Sequence, residues 1–133
     1  MLTEQKILSK LRKIKKGALA EHSNFKVAAL LFSSDGKMYS GINIESSSYG
    51  LTVCAERVAL FKALSDGVRE FENICILSDL DKPCPPCGAC RQLLMDYAPD
   101  INVMMFGEDG LMVESKLKDL LPFAFGSNAF KKR

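Results

Sequence analysis

The chain has 133 residues, 47% hydrophobic and 26% charged, with a net charge of +2. That length suits one domain, residues 1–133, with a real core, and the composition is that of a globular protein. The near-neutral balance gives no global attraction to nucleic acid. No apolar run approaches the roughly 20 residues of a membrane span, and the charged N-terminal stretch lacks a secretion signal's apolar core, so a soluble cytoplasmic protein is expected.

Leu2 to Leu19 has helical spacing, with Ile7 or Leu8, Leu11 and Ile14 on one face and Thr3 as the cap. Lys10, Arg12, Lys13, Lys15 and Lys16 form a basic cluster, expected to be a solvated helix face. Phe25 to Phe32 reads as a buried strand. Asp35-Gly36 centres a tight turn, and Met38 to Ile42 returns as the partner strand. Asn43 to Leu51 is a polar loop of the kind that carries binding groups, and His22 is taken as a polar loop residue.

Thr52 is the expected cap of a second helix, which runs from Val53 through Leu64 and ends at Ser65-Asp66-Gly67. Asn73 to Ser78 is an apolar strand, with Cys75 in its core. The prolines of Asp79 to Pro86 forbid a helix there. A third helix is expected from Cys87 to Tyr97, a strand from Ile101 to Phe106, a turn at Asp109-Gly110, a strand at Leu111 to Val113, and a short helix from Lys116 to Leu121. This order predicts an α/β/α three-layer sandwich around a mixed five-stranded sheet. Its hairpins are antiparallel, and strands joined through helices run parallel.

Five cysteines, without a secretion signal, favour metal or thiol chemistry over a disulfide framework. Cys87-x-x-Cys90 at a helix start can place both sulfurs on one ion, and Cys54, also opening a helix, is the best third ligand. Helix N-termini favour thiolates, because their unpaired N–H groups and dipole stabilise negative charge. Three thiolates on Zn²⁺ leave a fourth tetrahedral position for water. Glu56, two residues after Cys54, can stand beside that water and move its protons. Arg57 or Arg91 can hydrogen-bond the sulfurs and withdraw charge. Two other readings stay open on these residues. Cys84 can complete a closed structural Cys₄ site, and Cys84-Pro-Pro-Cys87 has the spacing of a redox pair.

Together, Cys54-Ala55-Glu56-Arg57 and Pro86-Cys87-Gly88-Ala89-Cys90-Arg91-Gln92, with Asn43-Ile44-Glu45 upstream, resemble the zinc-dependent nucleobase deaminases, in particular the small homotetrameric cytidine deaminases. The resemblance runs from about Ser23 to Gly126. It implies zinc on Cys54, Cys87 and Cys90, and Glu56 as the catalytic proton shuttle. It also implies Asn43 and Glu45 on the ribose hydroxyls, with Phe25 against the pyrimidine and Ala55 lining the site. Phe125 would reach a neighbouring subunit's site, and Arg57 would temper the thiolate charge. The implied reaction is hydrolytic deamination of cytidine and 2′-deoxycytidine to the uridines in pyrimidine salvage. Partners are then small nucleosides and copies of the chain in a homotetramer, rather than nucleic acid or membrane. Another small substrate such as blasticidin S, or a non-catalytic zinc module, is the alternative. His22, Ala28, the Pro85-Pro86 pair and Phe123 depart from the family's usual residues without touching the ligands or Glu56.

Overall fold

The computed structural model describes residues 2–126 and 130. Its elements in chain order are α1 (Glu4–Lys15), β1 (Val27–Ser33), β2 (Met38–Ile42), a 3₁₀ turn (Tyr49–Leu51), α2 (Ala55–Ser65), β3 (Phe71–Ser78), α3 (Gly88–Tyr97), β4 (Asn102–Phe106), β5 (Met112–Lys116) and α4 (Leu117–Leu120). The five strands form one sheet in the order β2-β1-β3-β4-β5. β1 is antiparallel to both β2 and β3, so the helix-linked strands β2 and β3 run the same way although β1 lies between them. β3 and β4, joined through α3, pair directly in parallel, and β5 returns antiparallel.

The three layers follow from the strand pattern. β1 is buried almost throughout, which requires cover on both faces. Ile7 and Leu11 of α1 pack with Ala28, Leu30, Cys75, Leu77 and Phe106 on one face. Ala55, Ala59, Leu60 and Ala63 of α2 and Leu94 of α3 pack with Ala29, Leu31, Ile74 and Ile76 on the other. α2 lies close on β2 at Gly41, where a Cβ would stand 2.1 Å from the carbonyl oxygen of Ala55 and 2.7 Å from the amide nitrogen of Ala59. Only glycine fits there. Among the described residues no helix is long and apolar enough to cross a membrane.

Several boundaries differ from the sequence reading. α1 is shorter than Leu2 to Leu19, because Leu19 leaves the helix and pairs its backbone with Asn43 and Glu45. The basic cluster is not one solvated face. Lys15 is buried and Arg12 is paired to Glu108, because the turn after β4 brings that carboxylate against α1. The cap of α2 is Cys54 rather than Thr52. Val53 exchanges two backbone hydrogen bonds with Ile44, which keeps the chain extended up to Cys54, and the Thr52 hydroxyl instead accepts from the Ser46 amide.

Candidate active site

Two helices begin at the same point in space. Cys54 caps α2 and Cys87 caps α3, both in extended conformation, and neither side chain makes a capping hydrogen bond. Their sulfurs are therefore free to face each other, 3.9 Å apart. Cys90, buried in the first turn of α3, stands 3.5 Å from Cys87. All three sulfurs lie within 4.8 Å of one another, and among the described residues Cys84 is outside this cluster. A tetrahedral zinc with Zn–S bonds of about 2.3 Å requires sulfurs about 3.8 Å apart, so the donor set fits that ion in type and spacing.

The electrostatics suit the same purpose. Hydrogen bonding from Cys90, and then from Arg57, draws the Cys54 thiol down to about 5 against its partial burial. The Cys90 thiol is pushed up, chiefly because it donates to Cys54. Negative charge thus settles first on Cys54, and the cluster is primed for a cation. The Arg57 guanidinium reaches the Cys54 sulfur at 3.5 Å and the Thr52 carbonyl at 3.2 Å. Arg91, by contrast, touches no sulfur. It donates to the carbonyls of Pro86 and Leu120, tying the proline loop to α4.

Glu56 occupies the second position of α2 and is 5% exposed. Burial pushes its carboxyl up to about 7, with its own backbone N–H pulling down and the Cys54 charge adding to the rise. A cation among the sulfurs would draw it back down. A carboxyl tuned near neutrality suits an acid–base role at physiological pH.

Glu56 borders a cavity of about 290 Å³ that is also lined by Phe25, Asn43, Glu45, Cys54, Ala55 and Cys87. The cavity wall is cross-braced. The Asn43 side chain accepts from the Val27 amide and donates to the Phe25 carbonyl, each at 2.9 Å, and is itself buried. Glu45 accepts from the amides of His22 and Ser23 and from the Ser23 hydroxyl, which hold its carboxyl below the usual range. His22 does not line this cavity; it lines a neighbouring one with Ser23, Glu45, Tyr49 and Thr52, its ring edge-on to Tyr49 with centroids 6.4 Å apart.

Nine of the ten site residues read from the sequence thus converge on the cluster or its cavity. Phe125 does not line this chain's cavity. It is 62% exposed, its ring packs edge-on against Phe130, and its carbonyl accepts from Gln92 of α3. Sequence reasoning missed Ser23, Val27, Ile76 and Pro85 as walls, Thr52 as a wall rather than a helix cap, and Cys84 as a wall rather than only a spare thiol. A serine in a polar link or a valine in a strand carries no signal of its own. Only the Cys84-Pro-Pro-Cys87 spacing hinted that residue 84 lies near the centre.

The model for the cytidine and deoxycytidylate deaminase zinc-binding region matches residues 1–107. A cytidine deaminase of Halalkalibacterium halodurans is 42% identical over 125 residues, covering 93% of this chain and 95% of that protein. The crystal structure of a cytidine deaminase from Burkholderia pseudomallei superposes with a TM-score of 0.89 at 40% identity, covering 93% of this chain and all of that one. A blasticidin-S deaminase of Bacillus cereus is more distant, 31% identical over 118 residues, covering 83% of this chain and 84% of that protein. The chain belongs to the family of the cytidine and deoxycytidylate deaminase zinc-binding region.

Proposed function

We propose that this protein is a zinc-dependent hydrolase that deaminates cytidine and 2′-deoxycytidine, with release of ammonia, in pyrimidine salvage. The observation that carries the reading is the buried Glu56 beside three convergent thiols, at the wall of a cavity that also holds Asn43 and Glu45. Cys54, Cys87 and Cys90 hold the metal, and Arg57 moderates their charge. When bound, zinc supplies Lewis acidity that makes water a usable nucleophile near neutral pH. Glu56 takes a proton from the attacking water and delivers it to N3 of the cytosine ring. It then takes the second proton, from the new C4 hydroxyl, and gives it to the amine, so that the C4–N4 bond breaks, C4 keeps a carbonyl oxygen and ammonia departs. Ala55 and Phe25 confine the base.

Glu45 already accepts four hydrogen bonds, from His22, from Ser23 twice and from Asn43 at 3.4 Å. Sugar recognition is therefore an exchange, in which a ribose 3′-hydroxyl replaces the Ser23 hydroxyl or the long Asn43 contact. Both ribose and 2′-deoxyribose carry that hydroxyl, which is the basis for accepting both nucleosides.

The chain works as one catalytic domain, since both core clusters share one sheet. Five free cysteines, three of them in the metal cluster, favour the reducing cytoplasm. Ile44, Phe61 and Phe125 are exposed apolar side chains of a kind that copies of the chain would bury, which supports a homotetramer in which Phe125 completes a neighbour's site.

The test is metal content together with a cytidine absorbance assay on Glu56→Ala. Retained zinc, one per chain, with activity reduced by about a thousandfold or more is expected. Loss of the metal, or full activity, removes Glu56 from the shuttle role. Wild-type turnover of blasticidin S but not of cytidine would replace the substrate.

A further inference from the structure

The segment carrying Phe25 enters the sheet awkwardly. Asn24 has φ of 55°, a left-handed conformation that costs a residue other than glycine something of order 1 kcal/mol. The ladder between β1 and β3 starts only at Val27 and Ser78, so Phe25 and Lys26 lie beyond it. On the cavity side the Asn43 amide braces this stretch. On the other side the brace is a side chain. Asp79, the residue after β3, accepts from the Lys26 amide at 2.7 Å, and so takes the place of the next rung of the ladder.

Asp79 is itself held from below. Its second oxygen pairs at 2.9 Å with the Lys15 ammonium, whose side chain is only 11% exposed. Lys15 also donates to the Ser78 carbonyl at 3.1 Å and to Glu108, which leaves it no spare donor and little freedom. Glu108 is fixed in turn by Arg12. A neutral set of two cations and two carboxylates thus runs from α1, under the end of β3, to the backbone of the cavity wall.

We propose that Asp79, steered by Lys15, is a positioning residue for substrate binding: it sets the Phe25–Val27 wall against which the base is held. Neither residue lines the cavity or touches the sulfurs. Glu56 and the cysteines ride on α2 and α3, which pack on the face of the sheet opposite to α1. Loss of the brace should therefore weaken binding and spare the chemical step. The inference rests on the nucleoside deaminase reading above.

The experiment compares zinc-loaded wild type, Asp79→Ala, Lys15→Met and Glu108→Gln. The readouts are KM and kcat for cytidine and the calorimetric Kd of the product uridine. Asp79→Ala should raise KM and Kd about tenfold, the scale of one lost hydrogen bond to a charged group, with kcat within about twofold. Lys15→Met should raise both by a smaller factor. Glu108→Gln perturbs the same set of charges at the end away from the wall, and should lower stability while leaving KM and Kd unchanged. Unchanged KM and Kd in Asp79→Ala overturns the proposal. Equal rises in Asp79→Ala and Glu108→Gln also overturn it, because the effect is then general loosening. If Asp79→Ala does not fold, Lys15→Met decides, and a flat KM and Kd there is a refutation. A wild type that neither turns over cytidine nor binds uridine refutes the functional reading itself. Turnover in the wild type with flat binding in the variants refutes only the positioning.

Discussion

Arg57 shows how one side chain can tune a cluster. Its guanidinium holds the Cys54 sulfur and the Thr52 carbonyl together, and its Nε is buried without a protein partner. Its pKa is raised first by the hydrogen bond to Cys54 and then by the charge of all three sulfurs, against its own desolvation. Removing it leaves the thiolates without their nearest counter-charge and frees the chain before α2. Arg57→Ala is expected to weaken zinc binding about 10- to 100-fold, measured by competition with a chromogenic chelator. Unaltered affinity would reduce the residue to a loop tie. At this scale the three cysteines were legible, because Cys-x-x-Cys spacing and a helix start restrict where sulfurs point. The residues themselves left Arg57 and Arg91 open, and only the family resemblance singled out Arg57. Both follow a cysteine near a helix start, and only the fold sends Arg91 to Pro86 and Leu120 instead.

Among the elements, α2 bears most on the site, because Cys54 and Glu56 ride on its first turn and its distance from β2 is set at Gly41. Gly41→Ala would push the helix off the sheet. The expected outcome is a loss of about 1–3 kcal/mol in denaturant unfolding, the scale of an overpacked core, together with weaker zinc binding as Cys54 moves away from Cys87 and Cys90. Wild-type stability would mean that the helix can shift freely. The second contribution at this scale is electrostatic. Glu108 is held below its ordinary 4.5, chiefly by hydrogen bonding to Lys15 and against its own desolvation. Asp79 is held below 3.8, because its hydrogen bonds to the Lys26 amide and to Lys15 outweigh its desolvation. Depressed carboxylates stabilise the fold above their unfolded values, and that stability is lost as pH falls through the folded ones. Wild-type stability should therefore drop steeply below about pH 4, and Lys15→Met should show a shallower drop when unfolding is followed against pH. The periodicity of α1 announced its buried Ile7 and Leu11. It did not announce Lys15, since a lysine between lysines reads as solvated until Glu108 and Asp79, distant in sequence, arrive beside it.

At the scale of the whole molecule, the cavity of one chain has Glu56, the sulfurs and the Asn43–Glu45 pair, while Phe125 points elsewhere and stays 62% exposed. If a neighbouring copy brings its Phe125 to this cavity, Phe125→Ala should raise KM for cytidine about tenfold with little change in kcat. Wild-type kinetics in that variant would count against a shared site. The sequence by itself determined the layered α/β architecture, the three cysteines that cluster where a metal could be held, and the carboxylate near them. These are largely local matters, decided by strand and helix periodicity, by prolines that stop helices, and by the short Cys87-x-x-Cys90 and Cys54-x-Glu56 spacings. That Cys54 meets the Cys87 sulfur across 33 positions followed from its helix start together with the family resemblance. The tertiary structure alone decided which side chains brace the cavity. The Asn43 amide clamps Phe25 and Val27, Ser23 occupies Glu45, and Lys15 reaches Asp79 across 64 positions of sequence. Such contacts have no sequence period. They exist because the packing of α1, β1 and β3 brings distant polar groups together, and those that it buries, Lys15 and Asn43, must find partners there.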